Sequence, residues 1–248
     1  VLVVGIGAGG EEHLTLEAAR VLGEVDCVVL LDKGDELADL AALRHRILAR
    51  HARPDLRTRT LPDPPRRLGS GDYSRAVSGW HDQRAALLAD ALADELAGGG
   101  TTALLVWGDP SLYDSSLRVL EQVRTWLPWP VEVRVVPGVS SLHLLTAAHG
   151  IALNRVGASV RLTTGRRLRD EPPGPDCDVV VFLDSRHAFA KLDPEQLHIY
   201  WGAYLGSPEQ LLVAGPLAEC RDEIVRVRTE ARQARGWMFD TYLLRWQT

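Results

Sequence analysis

The apolar and polar positions of the chain fall into two successive rhythms. Residues 1–4 are a short β-branched run that predicts a strand, closed by Gly5-Ile6-Gly7-Ala8-Gly9-Gly10. From about His13, Leu14, Ala18, Val21 and Leu22 recur at helical spacing. Residues 27–31 read as a second strand ending at Asp32, and Leu37, Leu40, Leu43, Ile47 and Leu48 mark a second helix. A weaker strand is expected near 56–61, inside the Arg-, Pro- and Gly-rich stretch 53–78, and a helix over 80–96 stopping at Gly98-Gly99-Gly100. Residues 101–106 and 131–136 read as two more strands, with Leu117, Leu120, Val123 and Leu127 as a helix between them. Strands alternating with helices predict a mostly parallel sheet covered on both faces.

After about residue 140 the rhythm changes. Ser140 or Ser141 is placed to cap a helix. Short strands follow at 159–164, 179–183, 197–201 and 210–213, with a short helix at 185–191 and a polar loop over 166–178. An Arg-rich helix at 217–235 and a final strand at 238–246 close the chain. The fold class expected is α/β in two domains, 1–138 and 139–248.

Composition narrows the function without naming it. The chain has 248 residues, 46% hydrophobic and 25% charged, ordinary for a globular protein. A net charge of -5 gives no electrostatic case for nucleic-acid binding, and no apolar run is long enough to span a membrane. Three cysteines, Cys27, Cys177 and Cys220, fit no metal motif and no disulfide framework, which points to a reduced cytoplasm. No signal-peptide pattern opens the chain. Nearly all basic residues are Arg.

The first loop fits G-x-G-x-x-G literally through Gly5, Gly7 and Gly10, with Asp32 ending the next strand. These are elements of a dinucleotide fingerprint, so an NAD(P)-dependent oxidoreductase is one reading. Glu11 and Glu12 oppose it, because two carboxylates at a helix start repel a pyrophosphate. A tight strand-to-helix turn is the plainer alternative. Two further glycine-bearing strand ends, Trp107-Gly108-Asp109-Pro110 and Pro137-Gly138-Val139-Ser140-Ser141, have no place in the dinucleotide reading. Gly108 is expected to let a ligand approach the backbone, with Asp109 and Ser111 stiffening the turn.

Taken together, Val4-Gly5-Ile6-Gly7-Ala8-Gly9 with Leu14-Thr15, Gly108-Asp109-Pro110 with Tyr113, and Pro137-Gly138-Val139-Ser140-Ser141 resemble the three motifs of the tetrapyrrole methylases, in order and spacing. The resemblance covers the whole chain. It implies two α/β domains with a cofactor cleft between them, S-adenosylmethionine as cofactor, a precorrin substrate and a homodimer, the last in keeping with seven Trp in the sequence. Leu31-Asp32-Lys33-Gly34, Leu112-Tyr113-Asp114-Ser115, Thr163-Thr164-Gly165-Arg166-Arg167-Leu168 and Trp201-Gly202-Ala203-Tyr204-Leu205-Gly206 look like the deacetylating branch of cobalamin synthesis. That branch takes precorrin-5, S-adenosylmethionine and water to precorrin-6A, S-adenosylhomocysteine and acetate, with methylation at ring carbon 1. Methylation at another precorrin position is the alternative within the family, and a fold retained for binding without turnover lies outside it. One departure is Gly10-Glu11, where the family usually carries Asp-Pro.

By the same resemblance, Gly108, Asp109, Leu112, Tyr113, Ser140 and Ser141 line the cofactor site. Phe182 or Leu183, Gly202, Ala203, Gly215 and Leu217 close over it. Asp32, His45, Asp72, Tyr73, His81 and Asp114 are candidates for delivering water in deacetylation, with none singled out. Arg44, Arg46, Arg75 and Arg166 are candidate grips for substrate carboxylates.

Overall fold

The computed structural model describes residues 1–32, 34, 38–65, 73–236 and 238–247. Asp72 lies outside them, as do the side chains of Tyr73 and Arg75. The chain divides into two compact units, Val1–Val139 and Ser140–Thr248.

The first unit is a parallel sheet of β1 (Leu2–Gly5), β2 (Cys27–Asp32), β3 (Arg57–Pro62), β4 (Thr102–Val106) and β5 (Arg134–Val136). Their spatial order is β3-β2-β4-β1-β5. Helices α1 (Leu16–Leu22) and α2 (Ala38–His51) pack Val21, Leu22, Leu43 and Ile47 on Val4, Val28, Leu30 and Leu105. On the opposite face, α3 (Tyr73–Leu96) and α4 (Ser116–Trp126) pack Leu88, Leu92, Leu120 and Val123 on Val3, Cys27, Val29 and Leu104. Successive strand residues face opposite sides, and both sides are covered, so β1, β2 and β4 read as nearly unbroken apolar runs, while the edge strands β3 and β5 stay largely exposed.

Three elements of this unit differ from the sequence expectation. The first helix begins at Leu16, not His13, because Thr15 Oγ1 accepts from Ala18 N at 3.1 Å and caps it there. Glu11–His13 is a separate 3-10 turn, closed by Gly10 N donating to His13 Nδ1 at 3.0 Å. The strand expected over 131–136 pairs with β1 only at Arg134–Val136. The helix expected from residue 80 begins at Tyr73.

The second unit is a mixed sheet of β6 (Ser159–Thr164), β7 (Cys177–Phe182), β8 (Leu197–Ala203), β9 (Leu211–Pro216) and β10 (Asp240–Trp246), in the order β6-β7-β10-β8-β9. Only β6 and β7 run parallel; the other pairs are antiparallel. Helix α5 (Ser141–His149) covers the face bearing Gly202 and Thr241, while Ile224 of α7 (Leu217–Arg235) packs with Trp201, Tyr242 and Leu244 on the other. The expected polar loop at 166–178 opens instead with a helical turn, α6 (Gly165–Leu168), which buries Leu168 in the same core.

A polar network threads that core. Asp184 accepts from Arg186 N at 3.1 Å, Ala188 N at 2.7 Å and the Tyr242 hydroxyl at 2.7 Å. Arg228 donates to the Asp184 carbonyl and to Asp240 Oδ1, and Trp201 Nε1 donates to Asp240 Oδ2 at 2.8 Å. Burial, and then the Asp184 carboxylate, push the Tyr242 hydroxyl well above the tyrosine range. The unfolded chain therefore loses this proton first, near the usual value of about 10. Stability from this group is complete below that pH and falls as pH rises above it. Tyr242→Phe is expected to lose about 1 kcal/mol at neutral pH and to flatten the decline above pH ~10, read by thermal melts from pH 7 to 11. An undiminished alkaline decline in the variant would assign the effect to another group.

Candidate functional site

Strands β4, β1 and β5 are adjacent and parallel, so the loops that follow them emerge at one edge of the first sheet. The loop after β1 leads to α1 on one face and the loop after β4 leads to α4 on the other. The strand order reverses there, which is where open α/β sheets bind ligands.

The glycines of these loops serve one another. A Cβ on Gly138 would stand 2.1 Å from Gly108 O, and one on Gly5 would stand 2.6 Å from Gly138 N and 2.8 Å from Gly108 O. Gly108, at φ 71°, donates to Gly7 O at 2.9 Å and accepts from Gly7 N at 3.3 Å. Its N–H and C=O are thus both engaged by Gly7. Asp109 fastens the crossing. Its Oδ1 accepts from Ser111 N at 2.8 Å and from the Ser111 hydroxyl, and its Oδ2 accepts from Gly138 N at 2.9 Å. Leu112 is half-buried behind this turn, and its N–H donates to Asp109 O at 3.2 Å. Tyr113 follows in left-handed backbone at φ 53° and is 42% exposed. Such strain costs on the order of 1 kcal/mol and gathers at functional sites.

The dinucleotide geometry is missing. Gly10 precedes a 3-10 turn, and the first α-helix starts only at Leu16, so no α-helix N-terminus abuts Gly10. Glu11 is paired with Arg46 at 3.0 Å and Arg50 at 3.7 Å. Arg46, a candidate carboxylate grip, is therefore already matched. Asp32 accepts from Gly34 N at 2.9 Å, as a turn-capping carboxylate does. Asp114 likewise accepts from Ser116 N at 2.6 Å. His45 is exposed on α2, His81 is half-buried with its ring 5.3 Å from that of Trp80, and Arg166 is exposed at the start of α6.

In the second unit, β7 and β8 both run antiparallel to β10, so their carboxyl ends share an edge. Leu183, just past β7, sits at φ 53° and is 62% exposed, and Tyr204, just past Ala203, sits at φ 49°. Ser141 Oγ lies 3.2 Å from Thr241 Oγ1, beside Gly202, which pairs with Thr241. Ser140 is buried, and its Oγ lies 2.9 Å from His143 Nδ1. A Cβ on Gly202 would meet the side chains of Leu205 at 2.6 Å and Leu145 at 3.0 Å, which would have to shift. Ser141, Leu183, Gly202 and Ala203 thus gather at one edge. Gly215 pairs with Ile199 further along β8, and Leu217 lies beyond it with its side chain wholly in the core. Those two residues stand apart from the gathered group, and Leu217 has only its backbone to offer.

Sequence reasoning missed a buried ion pair at the same edge of the first sheet. Arg84 Nε donates to Asp63 Oδ1 at 2.6 Å and Nη2 to Oδ2 at 2.5 Å, with both side chains 7% exposed. The Arg84 guanidinium also lies 4.0 Å from the Trp80 ring centroid. The available signal was an Arg four residues before Leu88 on an otherwise apolar helix stripe.

With this geometry in place, likenesses to known proteins carry weight. Residues 1–221 match the family described as Tetrapyrrole (Corrin/Porphyrin) Methylases. The chain is 41% identical over 246 residues to a "Precorrin-6A synthase [deacetylating]" of Sinorhizobium sp, covering 99% of this chain and 94% of that protein. It superposes on a cobalamin-synthesis-related protein (CobF) from Corynebacterium diphtheriae with TM-score 0.84 and 36% identity, covering 100% and 98% of the two chains. A uroporphyrin-III C-methyltransferase from Thermus thermophilus, crystallised with S-adenosyl homocysteine, shares the fold at TM-score 0.61 and 21% identity, over 98% and 91%. The chain belongs to the tetrapyrrole methylases, and it is a methyltransferase. The oxidoreductase reading is set aside, on the family and on the absent fingerprint geometry alike.

Proposed function

We propose that the protein converts precorrin-5 to precorrin-6A in cobalamin biosynthesis, methylating ring carbon 1 with S-adenosylmethionine and releasing acetate. The observation that carries this reading is 41% identity to the deacetylating synthase over 99% of the chain, so that both units take part in the match. The cofactor contacts proposed are Gly108, Asp109, Leu112 and Tyr113 in the first unit, and Ser140, Ser141, Leu183, Gly202, Ala203, Gly215 and Leu217 in the second.

Transfer from a sulfonium to an electron-rich ring carbon needs alignment and exclusion of water more than a side-chain nucleophile. A crossing of three loops suits that task, because Gly7 and Gly108 tie two of them backbone to backbone and the Asp109 carboxylate ties the third. Asp109 acts here through the loops it fastens, as a positioning residue. Deacetylation adds water across the bond to the acetyl carbon and gives acetate. A homodimer in the cytoplasm is the setting proposed. Three free thiols accord with it, and no helix among the described residues is long and apolar enough to cross a membrane.

The test is turnover. Purified protein given precorrin-5 and S-adenosylmethionine should form S-adenosylhomocysteine and acetate in equal amounts, followed by mass spectrometry and NMR. Methyl transfer without acetate would move the assignment to another precorrin position. Light scattering at micromolar concentration should give twice the chain mass, and a monomer would refute the dimer.

A further inference from the structure

Arg44 has no place in the ordinary economy of the first unit. It lies on α2, against one face of the sheet, and reaches the carboxyl end of β2, where Nη1 donates to Leu31 O at 3.3 Å. Its Nε is buried with no hydrogen-bond partner. Among the described residues no carboxylate comes within ion-pair distance of it. The acids nearby are engaged elsewhere: Asp63 gives both oxygens to Arg84, and Asp114 accepts from Ser116 N. Arg84 arrives from α3 on the opposite face; burial of Arg44, and then the charge of Arg84, work against the Arg44 cation, with Asp114 and Asp63 opposing them only in part. Two guanidinium groups therefore converge on the ligand edge from the two sides of the sheet, and among the described residues only one is paired with a carboxylate.

A half-buried guanidinium that has one carbonyl for a partner and a buried Nε with none lowers stability, and an apolar side chain of similar length would serve the fold better. A residue that costs the fold in this way is explained by what it binds. We infer that Arg44, backed by Arg84, forms an anion seat at the edge of the first sheet that takes a carboxylate side chain of the tetrapyrrole. A carboxylate is the ligand that a guanidinium fork meets with two parallel hydrogen bonds. The edge is the one from which the Gly5 and Gly108 loops emerge, so the seat faces the side on which a flat ring system would lie. This rests on the tetrapyrrole reading above, and it adds which cation holds the substrate's acid groups. It also replaces Arg46, which Glu11 occupies.

The test uses uroporphyrin III, a stable tetrapyrrole polycarboxylate, as a fluorescent probe on the full chain and on Arg44→Met. The variant should bind the probe at least tenfold more weakly and show a shallower dependence on salt. Its affinity for S-adenosylhomocysteine should be unchanged and its melting temperature equal or higher. Arg44→Lys should recover part of the probe affinity. Equal binding by Arg44→Met, no binding by the unmodified protein, or a melting temperature lowered by many degrees would each overturn the seat; the last would make Arg44 structural. If the probe result holds and the unmodified protein nevertheless fails to turn over precorrin-5, the seat stands and only the assigned reaction falls.

Discussion

Gly138→Ala is expected to abolish S-adenosylhomocysteine binding while the second unit stays folded. The added methyl would stand 2.1 Å from Gly108 O and 2.9 Å from the Cα of Gly5. Every atom it meets is backbone, so no side-chain rotation gives relief. Overpacking commonly costs about 1–3 kcal/mol, and a clash with two main chains belongs at the top of that range or above it. The least costly escape is to lift the short β5 and its loop, which takes Gly138 N away from Asp109 and frees the turn at Gly108. Affinity should fall by about a hundredfold or more, equivalent to ~2.7 kcal/mol, by titration calorimetry. Gly98→Ala is the control, since nothing lies within 4 Å of a Cβ there. Normal cofactor affinity in Gly138→Ala would show that binding does not depend on the crossing.

Asp63→Ala should be the most destabilising single change in the first unit. It strands Arg84 in a site 7% exposed, with the Arg44 cation close by. Breaking a buried pair from one side costs about 3–5 kcal/mol, because the remaining charge is left without compensation. Removing both charges, as Asp63→Leu with Arg84→Met, should restore most of the loss. Urea unfolding followed by the signal of Trp80, which lies against Arg84, gives the comparison. A loss below 1 kcal/mol for Asp63→Ala would mean that water reaches Arg84 readily.

The parallel sheet was legible because burial on both faces leaves unbroken apolar strands such as residues 27–31, and periodic helices between them. The three glycine loops were legible as motifs. Their purpose was not: spacing shows that Gly5, Gly108 and Gly138 end strands, but only the spatial order β4-β1-β5 shows that they touch. The start of α1 was misplaced because Glu11 and Glu12 look like first-turn carboxylates, and Thr15 is an equally good cap four residues later. Arg44 and Arg46 looked alike in sequence, two residues apart on one helix. Their difference lies in Glu11, which reaches Arg46 across 35 positions, and in Leu31, which receives Arg44. The network of Asp184, Arg228, Asp240 and Tyr242 joins residues up to 58 positions apart, and no local pattern announces such a partnership.

Strand β5 pairs through three residues and sits at the sheet edge, and most of its length is exposed. Beyond that ladder, Gly138 N on Asp109 and Thr15 Oγ1 on Pro137 O at 3.4 Å are what tie its outgoing chain down. An element so lightly held opens locally far more often than the sheet as a whole. Whatever fraction of molecules has β5 detached lacks the crossing, and with the cofactor bound where proposed, its affinity should be reduced by that fraction. Ligand occupancy should accordingly slow amide hydrogen exchange at Arg134 and Val136, the alternate amides that face β1, far more than in β4, whose residues are buried throughout.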